Sequence, residues 1–200
     1  MFELEISHVL QGGVLAIATE SWFALVADAR QPQALDALFA MKGRAAEHAV
    51  ALMVGNSERW LELVCEPEPL ARAFAERFWP GPLTLVVPAR ADLDPRLLKA
   101  GSVGVRVPGA SPALEFLRAS GAAVTATSAN LAGEPPCANS DEVCRVFGDW
   151  IASGQLRVVK GQAPGGLPST LVQIEAERFT IVRPGAITRA ELEAVAERLV

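Results

Sequence analysis

The chain has 200 residues, of which half are hydrophobic, 20% charged and 6% aromatic, with a formal net charge of −5. This composition suits one folded α/β domain, residues 1–200, and excludes a disordered or low-complexity chain. The acidic balance excludes nucleic-acid binding driven by net charge alone.

No apolar run is long enough to span a bilayer, and the opening MFELEISHVLQGG carries acids where a secretion signal carries bases. A cytoplasmic protein without membrane contact is expected. Three cysteines, Cys65, Cys137 and Cys144, form no CxxC pair and only two histidines exist. A disulfide framework or zinc site is not expected.

In chain order, VLAIA (14–18) predicts the first strand, and PQALDALFAMK from Pro32 predicts a helix with Leu35, Leu38 and Phe39 on one face. A strand at AVALMV (49–54) and a helix at PLARAFAERFW from Pro69 follow. LTLVVPA (83–89) and VGVRVP (103–108) predict strands, SPALEFLRA from Ser111 a helix, and AAVTAT (122–127) another strand. SDEVCRVFG from Ser140 is helical, and three strands come in a row at RVVK (157–160), STLVQI (169–174) and FTIVRP (179–184). TRAELEAVAERLV closes the pattern with a capping box, Thr188 and Glu191. Strands and helices alternate imperfectly, which predicts a mixed rather than a purely parallel sheet.

Polar residues cluster at the ends of these strands. TATSANLAGEPP, from Thr125 to Pro136, sets three hydroxyls and the Asn130 carboxamide among alanines before a turn. Each such group needs a partner if buried, and a phosphate, carboxylate or sugar hydroxyl supplies one. An Asx-type turn or a helix cap explains Ser128 and Asn130 as well.

Of the eighteen basic residues, only Lys42, Lys99 and Lys160 are lysines, and arginine suits bidentate recognition of phosphate and carboxylate. Lys42 and Arg44 follow a helical pattern, where a basic last turn facing the helix dipole is the more ordinary explanation from the residues alone. Arg106 between valines requires either an anionic ligand or an acid on a neighbouring strand. Arg183 ends a strand pattern, where a solvated charge is ordinary. Phosphate-loop, dinucleotide-binding, serine-hydrolase and zinc-hydrolase motifs are absent from the sequence.

An ordered series runs along the chain: TESWFALVAD (19–28), MKGR (41–44), FWPGPLTLVVPA (78–89), VGVRVP (103–108), TSANLAGEPPCANSDEV (127–143), PST (168–170) and RPG (183–185). It covers roughly Gly12 to Gly185 and resembles the YrdC/TsaC family of threonylcarbamoyl-AMP synthases in its single-domain form. The resemblance implies an α/β fold, a twisted mixed β-sheet flanked by helices with a cationic cleft. It implies a reaction in which L-threonine, bicarbonate and ATP give threonylcarbamoyl-AMP and pyrophosphate for the t6A modification of tRNA.

Carried over residue by residue, the resemblance makes Lys42 and Arg44 catalytic. It places Arg44, His48, Ser102, Asn130 and Arg183 on ATP, and Thr19, Ser21, Arg106, Ser128 and Ser169 on threonine. Mg²⁺ would be held mainly by phosphates, with no protein metal site. Downstream t6A-pathway transferase proteins and a weak tRNA contact are implied as partners.

The first motif departs from the family pattern. Its usual proline is replaced by Ala18 and its two glycines by Ala24 and Val26, and these last two are expected to reshape the amino-acid pocket. After MKGR, Ala45 replaces the usual proline and His48 a Lys or Asn. Two other readings therefore stand: a nucleotide- or RNA-binding module of the same fold, or adenylation of a different carbamoyl-type substrate.

Overall fold

Val14–Ala18 (β1) and Phe23–Val26 (β2) are buried at every position, as expected of strands with both faces covered. The computed structural model describes residues 2–43 and 49–199. The remaining strands are Ala51–Met53 (β3), Leu83–Pro88 (β4), Ser102–Arg106 (β5), Val124–Ser128 (β6), Leu156–Val158 (β7), Thr170–Glu175 (β8) and Arg178–Arg183 (β9). Among the described residues they form a nine-stranded sheet in the order β7-β1-β2-β6-β3-β5-β4-β8-β9. The pairs β1/β7, β3/β5 and β4/β8 are parallel, and the other neighbours are antiparallel. The expected mixed sheet is what forms.

Local chemistry sets the helix ends. Pro32–Lys42 (α2), Pro69–Phe78 (α3) and Pro112–Ser120 (α4) each begin with proline, whose fixed φ suits the first turn and whose missing N–H costs nothing there. Ser140–Val146 (α5) is capped by Asn139, and Arg189–Ala196 (α6) by the Thr188/Glu191 capping box. The sequence reading missed the helix Glu3–Leu10 (α1), the short helix Gly148–Ala152 and strand β2. No helix among the described residues is long and apolar enough to cross a membrane.

Strand alternation divides the apolar side chains between two faces. On one face, Leu38 of α2 and Val143 of α5 pack on Val14, Ala16 and Leu25. Further along that face, Phe74 of α3 and Leu192 of α6 pack on Leu85, Val105 and Val172. The opposite face is covered over β1, β2 and part of β3 and β6, where Phe116 and Leu117 of α4 meet Ile17, Val26, Met53 and Val124. Beyond them the same face is left bare over β6, β3, β5 and β4. That bare stretch is where the cleft lies.

Candidate active site

The floor of the cleft is made of small side chains. Ala51 and Ala126 are register partners, and a Cβ placed on Gly104 would lie 3.0 Å from the Ala51 Cβ. Thr84 flanks Gly104 from the other side. Small residues on adjacent strands leave room for a ligand where larger ones would pack against one another. The resulting cleft holds about 610 Å³, and its only charged lining residues among those described are Arg106 and Arg183.

Arg106 ends β5 with its side chain 9% exposed. Its Nε donates to the Gly81 carbonyl at 3.3 Å, and its Nη2 is ion-paired with Glu20 in the turn between β1 and β2. The WPGPLT stretch fixes the backbone that carries that carbonyl. The Trp79 indole donates to the Leu83 carbonyl at 2.8 Å, and the Gly81 N–H to the Val107 carbonyl at 2.9 Å. A Cβ on Gly81 would come 2.4 Å from the Phe78 carbonyl oxygen, so no other residue fits. Burial, and then the nearby Arg183 charge, push the Arg106 guanidinium down to about 10. It stays protonated at neutral pH, and the Glu20 carboxylate helps hold that charge.

Arg183, whose guanidinium burial also pushes down, donates from Nη2 to the Ser169 carbonyl at 2.8 Å and to its hydroxyl at 3.1 Å. Ser169 Oγ also lies 2.9 Å from Thr84 Oγ1. The PST and RPG stretches are locked together: Thr170 Oγ1 donates to the Ile187 carbonyl and accepts from its N–H. A Cβ on Gly185 would meet the Pro168 carbonyl oxygen at 2.3 Å, so the glycine permits this contact between the two backbones.

The turn after β6 is held from below. Lys42 Nζ donates to the carbonyls of Ser128 at 2.8 Å and Asn130 at 2.7 Å, and to Asn130 Oδ1. Ser128 Oγ donates to the same Oδ1 at 2.7 Å, while Asn130 Nδ2 donates to the Glu134 carbonyl. On the facing wall Thr19 Oγ1 donates to the Trp22 carbonyl at 2.8 Å and accepts from the Ser21 N–H at 3.2 Å. The Trp22 indole donates across to the Gly166 carbonyl at 3.0 Å.

A family model for the Sua5/YciO/YrdC domain, described as "Telomere recombination", matches residues 7–185. The chain belongs to the Sua5/YciO/YrdC family. A Bacillus subtilis protein named threonylcarbamoyl-AMP synthase is 32% identical over 186 residues, covering 91% of this chain and 52% of that one. A Thiobacillus denitrificans protein of the same name is 36% identical over 170 residues, covering 84% of this chain and 88% of the other. The crystal structure of Pyrococcus abyssi Sua5 complexed with L-threonine matches with a TM-score of 0.86 at 28% identity, covering 96% of this chain and 56% of that one. The chain thus spans about half the length of the B. subtilis and P. abyssi proteins and most of the T. denitrificans one.

Of the residues singled out from the Sua5/YciO/YrdC motifs, Thr19, Ser21, Arg106, Ser128, Ser169 and Arg183 line one cleft. Lys42 and Asn130 join it through the turn they share with Ser128. Ser102 stands on the same face of β5 but at the opposite end from Arg106, in a reciprocal backbone pair with Lys99, and does not line the cleft. Arg44 and His48 lie outside the described residues.

Three expectations are corrected. Lys42 is not an exposed helix-end lysine but 5% exposed, with its ammonium under the turn. Val26 is 1% exposed and packs in the cluster beneath α4, so of the two glycine replacements only Ala24 borders the cleft. Arg106 does have an acid partner, yet it comes from the β1–β2 turn rather than a neighbouring strand. Glu20 and Thr84 were overlooked. Glu20 sat within the TES stretch already quoted, whereas nothing local to Thr84 marks it as a neighbour of Ser169.

Proposed function

We propose that this chain is a threonylcarbamoyl-AMP synthase, a nucleotidyltransferase acting as one catalytic domain in the cytoplasm. L-Threonine, bicarbonate and ATP are its substrates, and its product feeds the transferase proteins of tRNA t6A formation. The observation that carries this reading is the convergence of six separated motif stretches on one cleft, in a fold whose P. abyssi relative was crystallised with L-threonine.

In this reading Arg106 and the Ser169 hydroxyl take the threonine carboxylate, and Ser128 faces the amino-acid end. The threonine amine attacks the bicarbonate carbon and water is lost, and the carbamate oxygen of the resulting N-carboxythreonine attacks the α-phosphorus of ATP. The bond from that phosphorus to the bridging oxygen breaks, and pyrophosphate leaves with the electron pair. Arg183 and Asn130 hold the nucleotide, and Arg44 is the phosphate ligand that the Lys-x-Arg motif supplies. Lys42 holds the Ser128–Asn130 turn and adds positive charge next to it, where preorganised charge stabilises the developing oxyanion best. ATP enters as its Mg²⁺ complex. No group of three metal-ligating side chains exists among the described residues, so phosphate oxygens and water carry the metal in this scheme.

The test is direct. Incubation with ATP, Mg²⁺, bicarbonate and labelled L-threonine should release pyrophosphate and form a labelled adenylate, each dependent on threonine and bicarbonate. Pyrophosphate release indifferent to threonine, or no adenylate, overturns the proposal.

A further inference from the structure

Arg106 and Arg183 line the same cleft, and the Arg183 charge reaches Arg106; Arg106 is buried, whereas Arg183 is exposed at the end of β9. Left alone they would offer an anion two positive charges, that of Arg106 at low dielectric, which favours phosphate over a carboxylate. A cleft that must place a triphosphate in one part and a single carboxylate in another needs to keep them apart. Glu20 supplies one negative charge at that point. Its Oε1 pairs with Arg106 Nη2, and its Oε2 is buried without a hydrogen-bond partner among the described residues. The carboxylate is therefore committed to Arg106.

Room for it comes from Gly109, where a Cβ would lie 3.1 Å from Glu20 Cγ. Arg106 gives one N–H to Gly81 and one to Glu20. Three of the five guanidinium N–H groups remain for a ligand. We propose that Glu20 is the specificity-determining residue of the amino-acid subsite, lowering the charge of the Arg106–Arg183 pair from two to one so that the subsite takes a carboxylate and rejects phosphate. This rests on the synthase reading and adds the selection of ligand class.

Titration calorimetry on the full chain compares L-threonine, 3-hydroxybutyrate and inorganic phosphate. Wild type should bind both carboxylates more tightly than phosphate. Glu20→Gln should shift the phosphate-to-carboxylate affinity ratio at least tenfold toward phosphate. Glu20→Gln with Arg183→Gln, which restores a single charge, should move the ratio back. An unchanged ratio, or equal losses for all three ligands, overturns the proposal, because a merely structural Glu20 predicts that pattern.

Should Glu20→Gln not fold, Glu20→Asp keeps the charge and shortens the reach. Retained selectivity with weaker binding supports the inference, and lost selectivity overturns it. The 3-hydroxybutyrate arm separates this outcome from the synthase reading. Carboxylate selectivity without threonine-dependent adenylate formation sinks only the latter.

Discussion

Lys42 shows how much a single side chain changes meaning between sequence and structure. As the last residue of α2 it reads as a solvated cation at a helix C-terminus, worth a few tenths of a kcal/mol. Buried, with its ammonium on two carbonyls and a carboxamide oxygen, it becomes the support of the turn that carries Ser128 and Asn130. Hydrogen bonds to a charged group contribute about 1.5–3 kcal/mol, and orphaned carbonyls add to the loss. Lys42→Ala should therefore lower thermal stability by about 2–3 kcal/mol as well as abolish most turnover, measured by thermal melts and pyrophosphate release. An unshifted melt would show that the turn stands without it. Asn130 occupies the centre of the same network, whereas the Ser128 hydroxyl makes one bond to it. Asn130→Ala should accordingly melt earlier than Ser128→Ala, while both weaken substrate binding.

Among the elements, the segments beside the cleft arginines and Ser169 are held by close backbone contacts at glycines. Gly185→Ala would put a methyl group into the Pro168 carbonyl, parting the strand β9 exit from the segment before β8. Ser169 and Arg183 would separate, and we expect at least tenfold weaker threonine binding with a loss of about 2 kcal/mol or more in stability, the range of a steric clash with nearby backbone. Normal binding in that variant would mean that the clamp is not what aligns the two side chains. The helices were legible in the sequence because their ends carry local signals: prolines at the first turn of α2, α3 and α4, and the capping box of α6. The helix Glu3–Leu10 has no side-chain cap, and it was missed. Sheet order was not legible, because β6 inserts between β2 and β3 by pairing with strands far away in sequence. For the site, motif residues identified most of the lining, but Arg106 and Glu20 lie 86 positions apart and no spacing rule connects them.

At the scale of the whole molecule, helices pack along one face of the sheet and over only part of the other. Helix α4 stops where the floor becomes Ala126, Ala51 and Gly104, so the molecule forgoes apolar burial there to keep a cleft of about 610 Å³. That trade makes a prediction opposite to most core substitutions. Ala126→Leu should extend the cluster beneath α4 across the bare strands, with about 0.8 kcal/mol available for each methylene it buries. Stability should hold or rise by up to about 2 kcal/mol, while threonine and ATP binding fall more than tenfold because the added side chain occupies their space. Chemical denaturation and ligand titration on the same preparation measure the two effects together. A variant that loses stability along with binding would show that the floor is packed to fit its present residues, and that the small side chains serve the fold rather than the cleft.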